Sequence, residues 1–172
     1  DGKRVKDEGL LEHFDLSLSE AQQLIMKARE ALGWVTKEES DEIIKSLCAS
    51  KPSIALYHMK DTGLLNYIFP ELDIMSGVDI IDNKGHKDVF IHTLQVVDNI
   101  SKNTNNVWLR WAALLHDIAK PATQRFDKKN GWTFHGHEAL GARWVPKIFK
   151  RLKLPLDAKM KYVQKLVNIH LR

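Results

Sequence analysis

His116 and Asp117 stand side by side at the end of an apolar run, in WAALLHDIAKP. An imidazole and a carboxylate are both ligands for a divalent metal ion. The doublet alone carries little weight, because a chain rich in His and Asp produces such dipeptides by chance. Its setting carries more. On a helix, VWLRWAALLHDI puts Val107, Trp111, Leu114 and Ile118 on one stripe, widened by Trp108 and Leu115. His116 and Asp117 fall on the other side, with Ala112 and Ala113 one turn before them. Small residues there leave room for other helices to approach and contribute groups.

Three more of the eight histidines fall on helical patterns that point inward. His137 is in register with Gly141, Trp144, Ile148 and Leu152. His170 ends a helix with an expected inward face of Leu156, Met160, Val163 and Val167. His92 borders a face made by Val89, Val96 and Ile100. One inward histidine is more often a satisfied core residue than a ligand. Several imidazoles and a carboxylate converging at helix ends are costly to bury unpaired, and one metal ion satisfies them together. Without a set of cysteine ligands, a closed structural zinc site is disfavoured; mixed N/O ligation fits Mn, Fe, Co or Ni, with Mg acceptable if water fills positions.

Such a site, with Asp117 binding the metal, lowers the pKa of bound water and offsets charge on an anionic substrate. Lys120, four residues after His116, would present its ammonium to that anion, and Arg125 could add a bidentate contact. Ordinary solvated charge is the competing reading for both.

The elements that must hold these residues are helical. Ser19 is an expected N-cap for EAQQLIMKAREALG, with Gly33 past its end; Ser40 opens DEIIKSLCAS; Pro52 begins PSIALYHMKDTG, stopped by Gly63. LLNYIFPEL is a short helix broken by Pro70. A loop is expected over 76–87, helices over 88–102, 107–118, 137–153 and 156–170, and a long irregular excursion over 120–136. The fold class is all-α.

At 44% hydrophobic residues the chain of 172 supports a real core. No apolar run approaches the roughly 20 residues of a membrane span, and DGKRVKDEGLLEHF has no apolar signal-peptide region. A single Cys48 excludes an intramolecular disulfide and fits a reducing cytoplasm. The net charge of +4 weakly favours an anionic partner. From residue 143 onward the basic residues, Lys161 and Lys165 among them, face one acid, Asp157. Lys161 and Lys165 lie one turn apart, off the apolar face. A solvated helix face would show both signs, so the bias favours an RNA backbone.

HTLQVVDNI, WAALLHDIAKPATQRF and WTFHGHEALGARWVPKIFKRLKLP resemble the HD family of metal-dependent phosphohydrolases, and more closely the HD domain of bacterial CCA-adding tRNA nucleotidyltransferases, grouped with poly(A) polymerases. DEIIKSLCASKPSIALYHMKDTGLLNYIFPEL resembles the neck before that domain. The resemblance implies an HD-domain helical bundle over 77–172, preceded by a smaller helical neck segment over 1–76. It implies that His92, His116 and Asp117 are metal ligands, that Lys120 lies near the substrate phosphate, and that His137 and His170 match extra histidines of subfamilies binding two metals. Implied substrates are 2′,3′-cyclic phosphates, 2′-nucleotides and RNA 3′ ends, and the implied partners are tRNA or other RNA and nucleotides. Two departures stand out. The HD pattern ends with a further Asp, where this sequence reads NIHLR with Leu171 after the histidine, and Asp157 sits too early to replace it. No Asp-x-Asp of a nucleotidyltransferase head occurs, so these residues are not expected to add CCA by themselves. A scaffold that only helps hold tRNA is the alternative to an active hydrolase.

Overall fold

The computed structural model describes residues 37–81 and 83–171. The helix expected after Ser19 and the Gly33 stop lie outside them. Val35–Arg172 is one compact unit.

Residues 37–73 form four short helices: α1 (Lys37–Cys48), α2 (Pro52–Asp61), α3 (Leu64–Ile68) and α4 (Pro70–Asp73). Ser40 does not open α1, which starts at Lys37, so a good capping residue sits inside the helix. Pro52 does open α2, where its missing N–H costs nothing. Lys51 supplies no side-chain cap there; Asp98, from a distant helix, accepts hydrogen bonds from the Ser53 N–H (2.9 Å) and hydroxyl (2.7 Å). Gly63 turns the chain in the left-handed region at φ 72°. The break before Pro70 falls at Phe69, whose φ −145° and ψ 64° lie outside the helical region.

The second region carries α5 (Val89–Ser101), α6 (Val107–Leu115), α7 (Lys120–Thr123), a hairpin of β1 (Arg125–Asp127) and β2 (Gly131–Thr133), α8 (His137–Arg151) and α9 (Ala158–Ile169). Asp88, Asn106 and Asp157 cap α5, α6 and α9 with side-chain oxygens. The excursion over 120–136 is therefore not irregular. Its strands pair Phe126 with Trp132 across three residues each, too short to show a period of two in sequence.

α6 is the central helix. It packs against α1, α5 and α9 and is buried from Arg110 to Leu115 on every side, so no solvent-facing back remains. Regular helix stops at Leu115, earlier than expected: the Ile118 N–H donates to the Leu115 carbonyl (3.2 Å) and the Lys120 N–H to that of Asp117 (2.9 Å), a tighter turn than the α-helix, before Pro121. The turn that results carries His116 and Asp117. α5 buries Phe90, Thr93, Leu94 and Val97, rotated from the expected face; Val96 and Ile100 are only half-buried. On α9, Val163 and Val167 are buried as expected, but Leu156 is exposed. Gly141 permits the closest helix approach. A Cβ there would come within 3.2 Å of Val167 and 3.3 Å of Ile118, so α8 can lie on α9 and on the turn after α6.

The core runs from Ile43 and Leu47 of α1 to Val163 and Val167 of α9, across the expected boundary at 76, with Phe69, Phe90, Trp111 and Phe149 as its largest buried rings. No described helix is long and apolar enough to cross a membrane.

Candidate metal centre

Asp117 is 1% exposed, and four histidines from four parts of the chain turn their Nε2 atoms toward its carboxylate. His116 Nε2 lies 3.0 Å and His92 Nε2 3.9 Å from Oδ2; His137 Nε2 lies 3.2 Å and His170 Nε2 3.7 Å from Oδ1. α5 supplies His92, the turn after α6 supplies His116 and Asp117, the start of α8 supplies His137, and the end of α9 supplies His170. Two sets of three ligand atoms, His92–His116–Asp117 and Asp117–His137–His170, each fall within 4.8 Å of one another. Asp117 is common to both.

The far side of each ring explains the orientation. Nδ1 of His116 lies 2.8 Å from the Ala113 carbonyl, Nδ1 of His137 lies 2.6 Å from that of Phe134, and Nδ1 of His170 lies 2.7 Å from that of Val167. A carbonyl can only accept, so each Nδ1 carries the hydrogen. In the neutral ring Nε2 is then a bare lone pair, the form that binds metal, with its orientation fixed from behind. The consequence is a surplus of acceptors. His137 Nε2 and His170 Nε2 are 3.2 Å apart and both face a buried carboxylate. Three lone-pair groups in one buried place require a cation, whether proton or metal. The donor set therefore fits a divalent ion.

The electrostatics follow from the same geometry. Burial opposes ionisation of Asp117, but His116 and His137, whose Nε2 atoms can donate to it only when the rings are protonated, together with the Lys120 hydrogen bond, outweigh it and hold the carboxyl well below the usual range. The Asp117 hydrogen bond raises the His137 pKa against the effect of burial. Burial lowers His170 and His92, reinforced in each by the charge of His116.

Lys120 sits at this centre, with Nζ 2.7 Å from Asp117 Oδ2 and lying over the Phe134 ring at 5.5 Å. Arg125 is exposed on β1 and donates to the Gln124 carbonyl at 2.7 Å; it lines a neighbouring cavity rather than joining the Asp117 cluster. Lys161 and Lys165 are exposed on α9, with Arg143 of α8 across a shallow groove. Arg151, part of the same basic run, is diverted into an ion pair with Glu71 and a hydrogen bond to the Ile68 carbonyl (2.9 Å). Glu138, which sequence reasoning passed over, lies 3.7 Å from His137 Nδ1. Its place beside a core-facing histidine was the available signal.

Four helical segments converging on a His-Asp doublet define a class, the HD domain. Residues 89–172 match the HD domain family, to which this part of the chain belongs. Residues 40–75 match a family described as "Probable RNA and SrmB- binding site of polymerase A". Similar proteins include an A-adding tRNA nucleotidyltransferase and multifunctional CCA proteins. The chain is 34% identical to the A-adding tRNA nucleotidyltransferase of Deinococcus radiodurans over 76% of its own length and 30% of that protein. It is 33% identical to the multifunctional CCA protein of Psychromonas ingrahamii, over 69% of the chain and 28% of the relative. The multifunctional CCA protein of Herminiimonas arsenicoxydans is 31% identical over 80% of the chain and 33% of its own length. The chain thus spans about a third of these relatives, and is a CCA-protein-like HD segment with the polymerase-type segment before it.

Proposed function

We propose that the chain is a divalent-metal-dependent phosphohydrolase acting on nucleotide phosphoesters: 2′,3′-cyclic phosphates, 2′-nucleotides or RNA 3′ ends. The observation that carries this reading is the convergence of four imidazole Nε2 atoms on the two oxygens of buried Asp117. His92, His116, Asp117, His137 and His170 would hold the metal, with Mn, Fe, Co, Ni or Mg as candidates. A divalent ion there eases formation of a nucleophile from water and offsets phosphoryl charge. Asp117 contributes the negative charge that retains the ion. His116, His137 and His170 contribute oriented lone pairs. His92, with 42% of its side chain exposed, stands at the open side, where substrate enters. Lys120 exchanges its carboxylate partner for a phosphoryl oxygen.

The matched segment over 40–75 and the Arg143–Lys161–Lys165 groove favour a second role, holding tRNA or another RNA in the cytoplasm by its backbone. If that is the sole role, the chain is a scaffold serving a catalytic head elsewhere.

Purified chain supplied with Ni, Co or Mn should hydrolyse a 2′,3′-cyclic nucleotide, and His116→Ala should remove the activity together with bound metal. Inactivity with every metal, alongside salt-sensitive tRNA binding, would leave the scaffold reading in place of the hydrolase.

A further inference from the structure

The cavity that Arg125 lines, of about 560 Å³, opens between loop residues in 74–81 and 83–87 and the hairpin. Its volume is within the range of small-ligand pockets, about 300–1,000 Å³. The two walls are fastened before any ligand arrives. Trp132 Nε1 donates to the Lys84 carbonyl at 2.9 Å, Lys84 Nζ donates to the Lys128 carbonyl at 3.1 Å, and Gln124 Nε2 donates to Asp79 Oδ2 at 2.6 Å. His86 is part of the same framework. It accepts from the Asp79 N–H at 3.3 Å, places Nδ1 2.9 Å from the Lys87 carbonyl, and packs edge-on against Trp132 and Phe134. With both nitrogens committed it serves as wall, not as ligand.

Three kinds of group line the space. Trp132 and Phe126 are a half-buried aromatic pair with centroids 5.2 Å apart. Gln124 and Asp79 offer an amide and a carboxylate held only by each other's side chain, a donor and an acceptor able to exchange partners with an incoming polar edge. Arg125 is exposed, with no carboxylate partner among the described residues. The cavity shares chain segments with the metal centre, although none of the centre's own side chains lines it. Pro121 lines it and follows Lys120; Val89 lines it and begins the helix that carries His92. Phe134 bridges the two places, with the Lys120 ammonium over its ring and His86 against its edge. The cavity offers an aromatic surface and a polar pair, and Lys120 adjoins its Pro121 wall in the chain. These match the three parts of a nucleotide: base face, base edge and phosphate.

We infer that this cavity seats the nucleobase of the substrate, so that a nucleotide rather than any phosphate ester is held with its phosphate at Lys120. The inference rests on the phosphoester reading above. Trp132 and Phe126 supply the stacking surface, Gln124 and Asp79 read the base edge, and Arg125 guards the entrance with positive charge.

Calorimetric titration of the 172-residue chain, in EDTA and again with manganese, tests this with adenosine monophosphate, ribose 5-phosphate and inorganic phosphate as probes. Adenosine monophosphate should bind about tenfold more tightly than ribose 5-phosphate, as a stacked base contributes. Trp132→Leu should bring the two to equal affinity. Because Trp132 also fastens the hairpin, Gln124→Ala and Arg125→Ala are measured beside it, with circular dichroism as a check on folding. A reduced preference in well-folded Gln124→Ala supports the base seat, and Arg125→Ala should weaken both probes alike. Equal affinity for the two probes in the wild type, or a preference that survives all three variants, overturns it. Cyclic-nucleotide hydrolysis without base preference sinks this inference alone. Base preference without hydrolysis upholds the seat and sinks the proposed reaction.

Discussion

Arg110 and Asp117 lie on one short stretch of chain, at 2% and 1% exposure, and neither has the surroundings of the other. Arg110 is a buried cation among fixed acceptors. Its guanidinium donates to the carbonyls of Leu47 (2.6 Å), Ala49 (2.8 Å), Ser101 (3.1 Å) and Thr104 (2.7 Å), which gathers the C-terminal ends of α1 and α5, where the helix dipoles are negative. Every donor meets a group that can only accept. Asp117 is a buried anion among imidazoles, three of which have already given their Nδ1 hydrogens to the backbone. There the acceptors outnumber the protons. A buried charge with complementary, immobile partners is a staple, and one surrounded by groups that compete for protons calls for a cation from outside.

The comparison is broken most directly at its charged centres. Asp117→Asn keeps the shape and removes the charge, so metal content by elemental analysis and hydrolysis should both fall to background, while the chain stays helical. Retention of metal by this variant would mean that the centre is satisfied in the manner of Arg110. Arg110→Ala should do the reverse. It leaves several buried carbonyls unpaired and should cost about 3–5 kcal/mol in denaturant unfolding, with the folded fraction still binding metal. A cost below about 1 kcal/mol would show that the carbonyls find water, and the staple would be cosmetic.

Smaller effects sharpen the picture. Lys120→Ala should slow hydrolysis by about 10²-fold without changing metal content, since its proposed work is on the phosphate. Loss of metal in that variant would place Lys120 in the ligand framework instead. Lys161→Glu with Lys165→Glu should weaken tRNA binding several-fold and reduce the salt slope by about 2, leaving small-ester hydrolysis unchanged. An unchanged slope would make those lysines ordinary surface charge.

Much of the helical order was legible because α6, α8 and α9 carry long apolar repeats, and because Pro52, Gly63 and Pro70 act through local backbone chemistry wherever they occur. The five residues that meet at the centre were also legible, since a histidine aligned with Gly141 and Ile148, or with Val163 and Val167, must point where that face points. The short elements were not. The hairpin is three residues a side, and Trp132 ties it to the Lys84 carbonyl in a loop far away in sequence.

Sequence by itself determined the composition of the centre: one carboxylate, four imidazoles and a lysine on helical segments of defined phase. Tertiary structure alone decided their state. The Nδ1 atoms settle on the Ala113, Phe134 and Val167 carbonyls only once those turns are formed, and Asp117 reaches 1% exposure only in the assembled fold. Periodicity fixes the direction of a side chain from its own helix. Burial, tautomer and charge are properties of what the other helices bring to it.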